Sequence, residues 1–392
     1  MDSPPPRHHS ATVAFKEANG SEGETMKKHT TKHDSLLSTD VDLCQNLCVD
    51  LAKQVFQLVG DDGTGRVIYE ARLKSRQAFH ELLIKLPTTV SVLMESGPGA
   101  QAWARMLQAK GNPVRILPAQ RVAEHRSGAK NDRNDAHAIL RAGRDSSIAS
   151  VPIKSTLSLA IQALHRVRRG NIKRHTAMGN QIRGLLLEHG VALAQGDAAI
   201  RQRVPRILED ASLPLPDMLR ELLDELLNEW LYLGERIAVL SGRLEAAARE
   251  DKVAQRLTTI RGVGPIIATA IVAKQTEPSR FASGRMYSAY FGIVPDQHSS
   301  GNKIRLGKMS KRGDGYIRSL MIQGAHAVLN HLKPDSDQPD DRRLLHWLSR
   351  LGRKEAAIRL ANRNLRIIWS LLQSDQVYQR QPNSRPEAAM SL

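Results

Sequence analysis

One stripe of side chains commits more of this chain than any other feature. Leu219, Leu223, Leu226, Trp230, Leu233, Ile237, Leu240 and Leu244 recur at steps that alternate four and three. That spacing belongs to one long helix whose apolar seam faces another helix. A stripe this long and strict predicts a coiled coil, either with a second molecule or as a hairpin, in preference to an amphipathic helix resting on its own domain. A preceding helix is expected from Lys154 to Leu187. That stretch holds no acidic residue, while Arg166, Arg168, Arg169, Lys173, Arg174 and Arg183 give it a basic face.

Ahead of these helices the pattern is different. Leu47 to Val49 leads into Asp50, and Val55 to Val59 is a second apolar run. Asp61, Asp62, Gly63 and Gly65 then mark a turn, and Arg66 to Tyr69 resumes, which is a hairpin signal. A helix is expected over Ser75 to Leu86, a strand over Val90 to Met94, a helix from Gly97-Pro98-Gly99 to Lys110 and a strand over Val114 to Leu117. Strands alternating with helices after a meander predict a mixed α/β sheet domain over 40–150. The polar residues 1–39 read as a disordered leader, and 151–251 as the helical coiled-coil region. A mainly helical last domain is expected over 252–374, followed by a flexible tail, 375–392. Within it, Leu257 to Ala273 reads as helix, tight glycine turn, helix, whose amides can hold a phosphate. Arg342 to Leu372 reads as a basic amphipathic helix.

Charge narrows the partners. The 392 residues carry 57 Lys and Arg against 40 Asp and Glu, a formal +17. Such a surplus favours a polyanion, because each neutralised phosphate releases condensed counterions. Cys44 and Cys48 are the whole cysteine complement, too few for a disulfide framework and without the second pair a zinc site needs. No apolar run reaches the length of a membrane span, and the start lacks the apolar core of a signal peptide. A reducing cytoplasm is the expected location.

Four carboxylates carry the chemistry. Asp50 and Glu95 end expected strands, and Asp132 and Asp135 stand three apart, which places them on one face of a helix. Strand ends on one sheet edge converge, and a helix across that edge delivers two more oxygens. Such a hard oxygen cage suits one or two Mg²⁺ ions. Taken singly each acid has a duller reading: a strand-end polar residue, a helix-capping acid, or, for Asp132, an N-cap. Together the order strand-Asp, strand-Glu, helix-Asp pair is that of ribonuclease-H-like nucleases.

The motifs Val49-Asp50-Leu51-Ala52-Lys53, Met94-Glu95-Ser96 and Lys130-Asn131-Asp132 with Asp135-Ala136 resemble the DEDD transposases of the IS one-ten family, in the branch typified by IS eleven-eleven. Further matches are Trp103-Ala104-Arg105, Gln181 to Gly184, Gly262 to Pro265, Gly292 to Pro295, Gln297 to Gly301 and Lys311 to Asp314. The similarity runs from Val41 to Leu372. Cys48, Arg261, Asp296 and Asn302 depart from the usual pattern without touching a candidate catalytic side chain.

The resemblance implies a RuvC-like domain with Asp50, Glu95, Asp132 and Asp135 as catalytic and metal-binding acids. It also implies a C-terminal transposase domain with a serine nucleophile, Ser300, or Ser299 if the register shifts by one. Lys303, Arg305, Lys308, Lys311 and Arg312 follow the serine and are candidate phosphate contacts. Expected partners are donor and target DNA, a non-coding bridge or seek RNA, and further copies of the chain as a homodimer or homotetramer. The expected reaction cuts and rejoins DNA strands of the element itself, at the bacterial nucleoid. Two rivals are a Holliday-junction nuclease that uses water and the same acids, and a non-catalytic nucleic-acid-binding assembly protein.

Overall fold

The computed structural model describes residues 40–128, 131–297 and 305–379. The expected leader 1–39, the serines Ser299 and Ser300, Lys303, and the tail from residue 380 lie outside the described residues.

Three strands, β1 (Asn46–Leu51), β2 (Phe56–Asp61) and β3 (Val67–Leu73), form an antiparallel meander. The helix α1 (Arg76–Lys85) follows, then β4 (Ser91–Glu95), α2 (Ala100–Lys110) and β5 (Val114–Leu117). Ser75 starts α1 by accepting a bond from the Ala78 amide at 3.0 Å, as a serine at that position should. The sheet order is β3-β2-β1-β4-β5, with β4 parallel to both β1 and β5.

Period-two alternation divides each strand between two faces. Leu47, Val49, Leu58, Val92 and Met94 pack with residues of α1 and α2 in one core. There Phe56 stacks on Phe79 at 4.3 Å and Trp103 meets Phe79 edge-on. Cys48, Val59, Leu93 and Leu117 form the other core, under Ala136, Ile139 and Leu140 of α4 (Asp132–Arg144). A short helix, α3 (Ala119–Glu124), precedes α4. Gly143 lets α4 sit low on the sheet, since a Cβ there would lie 2.5 Å from Leu93 Cδ1. Both cysteines are buried and unpaired.

The helical region contains α5 (Thr156–Glu188), α6 (Asp197–Glu209) and α7 (Asp217–Glu250). Near one end Ile161 packs with Leu244. Farther along, Arg168 Nε donates to Ser241 Oγ at 2.7 Å, and the His175 ring stacks on Trp230 at 4.4 Å. Ascending numbers on α5 meet descending numbers on α7, so the two helices are antiparallel. Leu223, Trp230, Leu233, Leu240 and Leu244 of the heptad stripe are buried. Ile200, Val204 and Ile207 of α6 join the core around Trp230. Five of the eight stripe residues are thus covered within the chain, while Leu219, Leu226 and Ile237 keep part of their surface exposed.

The C-terminal region comprises α8 (Lys252–Thr258), α9 (Pro265–Lys274), α10 (Gly284–Tyr290), β6 (Pro295–Gln297), β7 (Leu306–Met309), α11 (Gly315–Asn330) and α12 (Pro339–Leu372). One apolar core unites them. Gly262, at φ +87°, makes the turn between α8 and α9 and lies against Gly324 of α11. A Cβ on Gly324 would come within 2.1 Å of the Gly262 carbonyl oxygen. α12 breaks at Gly352, where φ is +75°.

A buried histidine ties this region to the antiparallel pair. His165 Nδ1 lies 3.0 Å from Tyr316 Oη, and its Nε2 lies 3.1 Å from Thr269 Oγ1. Burial, reinforced by the Arg168 charge, pushes its pKa down to about 4. The ring is therefore neutral at pH 7, donating at one nitrogen and accepting at the other. No helix among the described residues is long and apolar enough to cross a membrane.

Candidate functional site

Parallel pairing sets the first two acids side by side. Val49 and Met94 are register partners on β1 and β4. One residue further, Asp50 and Glu95 stand at the carboxyl ends of adjacent strands, about 4.8 Å apart at the backbone. Asp50 alternates with Val49 and so shares the face of Cys48; Glu95 likewise shares the face of Leu93. Both belong to the face that α4 covers. The helix α4 begins at Asn131, whose side-chain oxygen accepts from the Asn134 amide at 2.8 Å. Asn131 rather than Asp132 is the N-cap, which leaves both aspartates in the first turn. Negative charge there is favoured by the unpaired amides of the helix start.

The electrostatics register the grouping. Asp50 is half-buried and its pKa is pushed up to about 6, first by burial and then by the charges of Asp135, Asp132 and Glu95, with Arg126 partly offsetting them. Mutual repulsion of this kind is relieved by a cation. Two arginines supply positive charge: Arg126 Nε lies 2.5 Å from Asp135 Oδ1, and Arg72 Nη2 lies 3.5 Å from Asp132 Oδ2. Among the described residues no three acid, histidine or cysteine side chains are gathered tightly enough to grip a metal ion as they stand. The donor set is nevertheless that of a hard divalent ion, and the arginines sit on the oxygens such an ion would take. Neither arginine was legible as a site residue. Arg72 lies on a distant strand, and Arg126 in the loop before Asn131, so no spacing links them to α4. Beside them Glu70 of β3 accepts from Arg133 Nε at 2.8 Å and lies 3.0 Å from His137 Nε2, which fixes the outer side of α4.

The basic candidates divide. Arg166, Arg169, Lys173 and Arg174 are exposed along α5. Arg168 is spent on Ser241, and Arg183 donates to the carbonyls of Ala194 and Gly196 at 3.2 and 2.7 Å. Arg305, Lys308, Lys311 and Arg312 are exposed on or beside the β6–β7 hairpin. Asp296, the acid that departs from the family pattern, lies 3.8 Å from Arg312. Arg261, where the pattern has proline, pairs with Asp341.

Two glycines lock the base of that hairpin. Gly292 has φ +72°, and a Cβ on it would fall 2.0 Å from the Arg312 carbonyl oxygen. Gly313, at φ +89°, approaches the Tyr290 carbonyl just as closely. Gly292→Ala combines a left-handed backbone with a collision against main chain, so it should cost about 2–4 kcal/mol. A urea midpoint equal to that of the wild type would show that the two segments are not packed in this way.

Family models match two parts of the chain. A DEDD transposase model of the IS110 type covers residues 47–190, which include all four acids, and the transposase IS116/IS110/IS902 family covers residues 254–339. A Pseudomonas aeruginosa protein described as a probable family 20 transposase is 40% identical over 331 residues, 84% of this chain and 97% of the relative. The transposase for insertion sequence element IS1111A of Coxiella burnetii is 37% identical over 332 residues, covering 85% of this chain and 90% of its own. The chain belongs to the IS110 family of transposases. The transposase for insertion sequence element IS1328 of Yersinia enterocolitica is 32% identical over 336 residues, 85% of this chain and 98% of the relative. An IS110 transposase is a DNA-recombining enzyme, and its substrate is DNA. The basic surface and the cluster of acids on the α4 face suit that role.

Proposed function

We propose that this IS110 transposase excises and inserts its own element through a serine–DNA intermediate, with Asp50, Glu95, Asp132 and Asp135 as Mg²⁺ ligands and a bridge or seek RNA choosing the sites. The observation that carries the reading is the approach of four acids, two at strand ends and two on the start of α4, whose charges add to burial in raising the Asp50 pKa to about 6. Support also comes from the strand order β3-β2-β1-β4-β5 with β2 antiparallel, the order of a ribonuclease-H-like sheet.

Each part of the chain has a task in this scheme. Asp50 and Glu95, rooted in neighbouring strands, fix two oxygens rigidly, while Asp132 and Asp135 bring two more on the start of α4. Bound Mg²⁺ supplies Lewis acidity at the scissile phosphate. Arg126 and Arg72 must release the α4 carboxylates for that ion to be held. The Ser300 hydroxyl attacks phosphorus, one P–O ester bond forms as the bond to the departing sugar oxygen breaks, and the hydroxyl proton is balanced by the one that sugar oxygen takes up, so the joint can be resealed without outside energy. Lys308, Lys311 and Arg312 neutralise charge on the phosphate oxygens. Exposed Arg166, Arg169, Lys173 and Arg174 hold nucleic-acid backbone, with base pairing to the RNA setting sequence. The α8–turn–α9 segment acts as a helix-hairpin-helix-like phosphate contact. Copies of the chain assemble as dimers or tetramers across the two DNAs, within the bacterial nucleoid.

The test combines protein, candidate RNA, both DNAs and Mg²⁺, and reads recombinant joints by amplification across the new junction. Joints are expected with RNA and Mg²⁺ together, and none after chelation or without RNA. Joints that persist after chelation would sink the metal part of the scheme, and joints without RNA would sink the guide.

A further inference from the structure

A groove of about 2130 Å³ lies in the C-terminal region, walled by α10, the β6–β7 hairpin, both halves of α12 and the segment 376–379. Its lining includes Gln297 and Gly307, so it opens beside the hairpin that carries the serine segment. The groove is strongly basic. Arg285, Lys308, Lys354, Arg359 and Arg366 line it and are exposed. Of its two acids, Asp340 is already engaged with Arg363 at 3.0 Å and Arg343 at 3.5 Å. Arg359 and Arg366 stand seven residues apart on one side of α12, about 10 Å along the axis, a span that reaches successive phosphates of one strand. Two aromatic side chains, Trp347 and Tyr378, also line it, each packed against the core and partly exposed.

We propose that this groove binds a single DNA strand, the unpaired segment next to the cut phosphate. The inference rests on the transposase reading for its choice of DNA. The physical argument is the mixture of groups. Cations alone would serve a duplex backbone or an acidic protein segment equally well. Aromatic faces set among cations suit an unpaired strand, whose bases are free to stack, whereas duplex bases already stack on each other. The basic face of α12 was visible as an amphipathic helix, yet none of its residues belongs to the acid site or to the α5 surface.

The experiment measures fluorescence anisotropy of a labelled twelve-nucleotide oligo-dT with the full chain, without Mg²⁺, so that no cleavage is needed. Arg359→Ala/Arg366→Ala removes only exposed side chains. It should weaken dT binding about tenfold or more and reduce the salt slope by about 1.4, the value for two single-strand phosphate contacts. Trp347→Ala should weaken it at least about fivefold, with Trp347→Phe restoring most of the loss. Duplex of the same length should be little affected by Trp347→Ala. Circular dichroism melting checks that each variant is folded. The proposal is overturned by unchanged dT binding in the double variant, by equal losses for dT, oligo-U RNA and duplex, or by polyglutamate displacing dT as well as unlabelled dT does. A wild type that binds dT through this groove but makes no recombinant joints would defeat the transposition scheme and leave the groove standing. Joints formed normally by the double variant would do the reverse.

Discussion

Asp50→Asn should make the metal-free protein more stable at neutral pH while reducing joint formation on the order of 10³-fold. The stability gain follows from the raised pKa of about 6 against an ordinary 3.8. A folded-state pKa above the unfolded value means the fold favours the neutral carboxyl. That contribution is complete below pH 4 and disappears as pH rises through 6, so at pH 7 the ionised group is a burden. The full shift corresponds to about 3 kcal/mol. Asp50 keeps part of its surface in water, and solvent screening reduces the figure to about 1–2 kcal/mol. Thermal melts in a chelating buffer should therefore place Asp50→Asn above the wild type at pH 7.5, with the difference gone at pH 4. Adding Mg²⁺ at pH 7.5 should reverse the order, because the ion stabilises only the chain that can bind it. A variant no more stable than wild type in the chelating buffer would mean that neither burial nor the neighbouring acids burden the ionised Asp50.

The second large effect concerns the nucleophile. Ser300→Ala should lower joint formation at least about 10³-fold, as loss of a covalent nucleophile does elsewhere. The diagnostic is the adduct. A wild-type reaction stopped with detergent should leave DNA attached to protein through a phosphoserine bond, visible as a retarded band that protease removes. In Ser300→Ala that band should vanish, while folding and DNA binding persist. Any residual cutting would release a free end made by water, which cannot be resealed. If the band survives in Ser300→Ala and vanishes in Ser299→Ala, the nucleophile is the neighbouring serine. If it survives in both, the serine route is wrong and a hydrolytic nuclease becomes the better description.

The sheet was legible because its strands obey simple rules. Apolar residues bounded by turn formers located β1, β2, β4 and β5 closely, and a strand-terminal acid at Glu95 needs no tertiary information. The Asp132–Asp135 pair was readable as well, since three-residue spacing fixes a helix face. The helices α3, α6, α10 and α11 were not individually foreseen. Pro205 sits inside α6, where a proline normally signals a break, and α3 is only one and a half turns of mixed residues. The partner of the heptad stripe was hidden for a chemical reason. The α5 residues buried there interleave Ser158, His165, Asn171, His175 and Gly179 with the apolar Ile161, Ile182 and Leu186, so the hydrophobic period is broken through the middle of the helix. The arginine partners of the acids were invisible because they depend on which strand and loop α4 happens to cross, a property of the assembled fold.

The antiparallel helix pair has a geometric corollary. It runs out from Thr156 along α5 and back to Glu250 along α7, and is pinned at its root by Ile161, Leu244 and Ala273 and by the neutral His165. With 33 residues, α5 extends roughly 50 Å, stiffened along its length by α7. A polymer gripped near Arg166 and again near the far tip is thereby held at two points of set separation. Under the proposed function, the length of the hairpin rather than any contact chemistry sets the distance between two such grips.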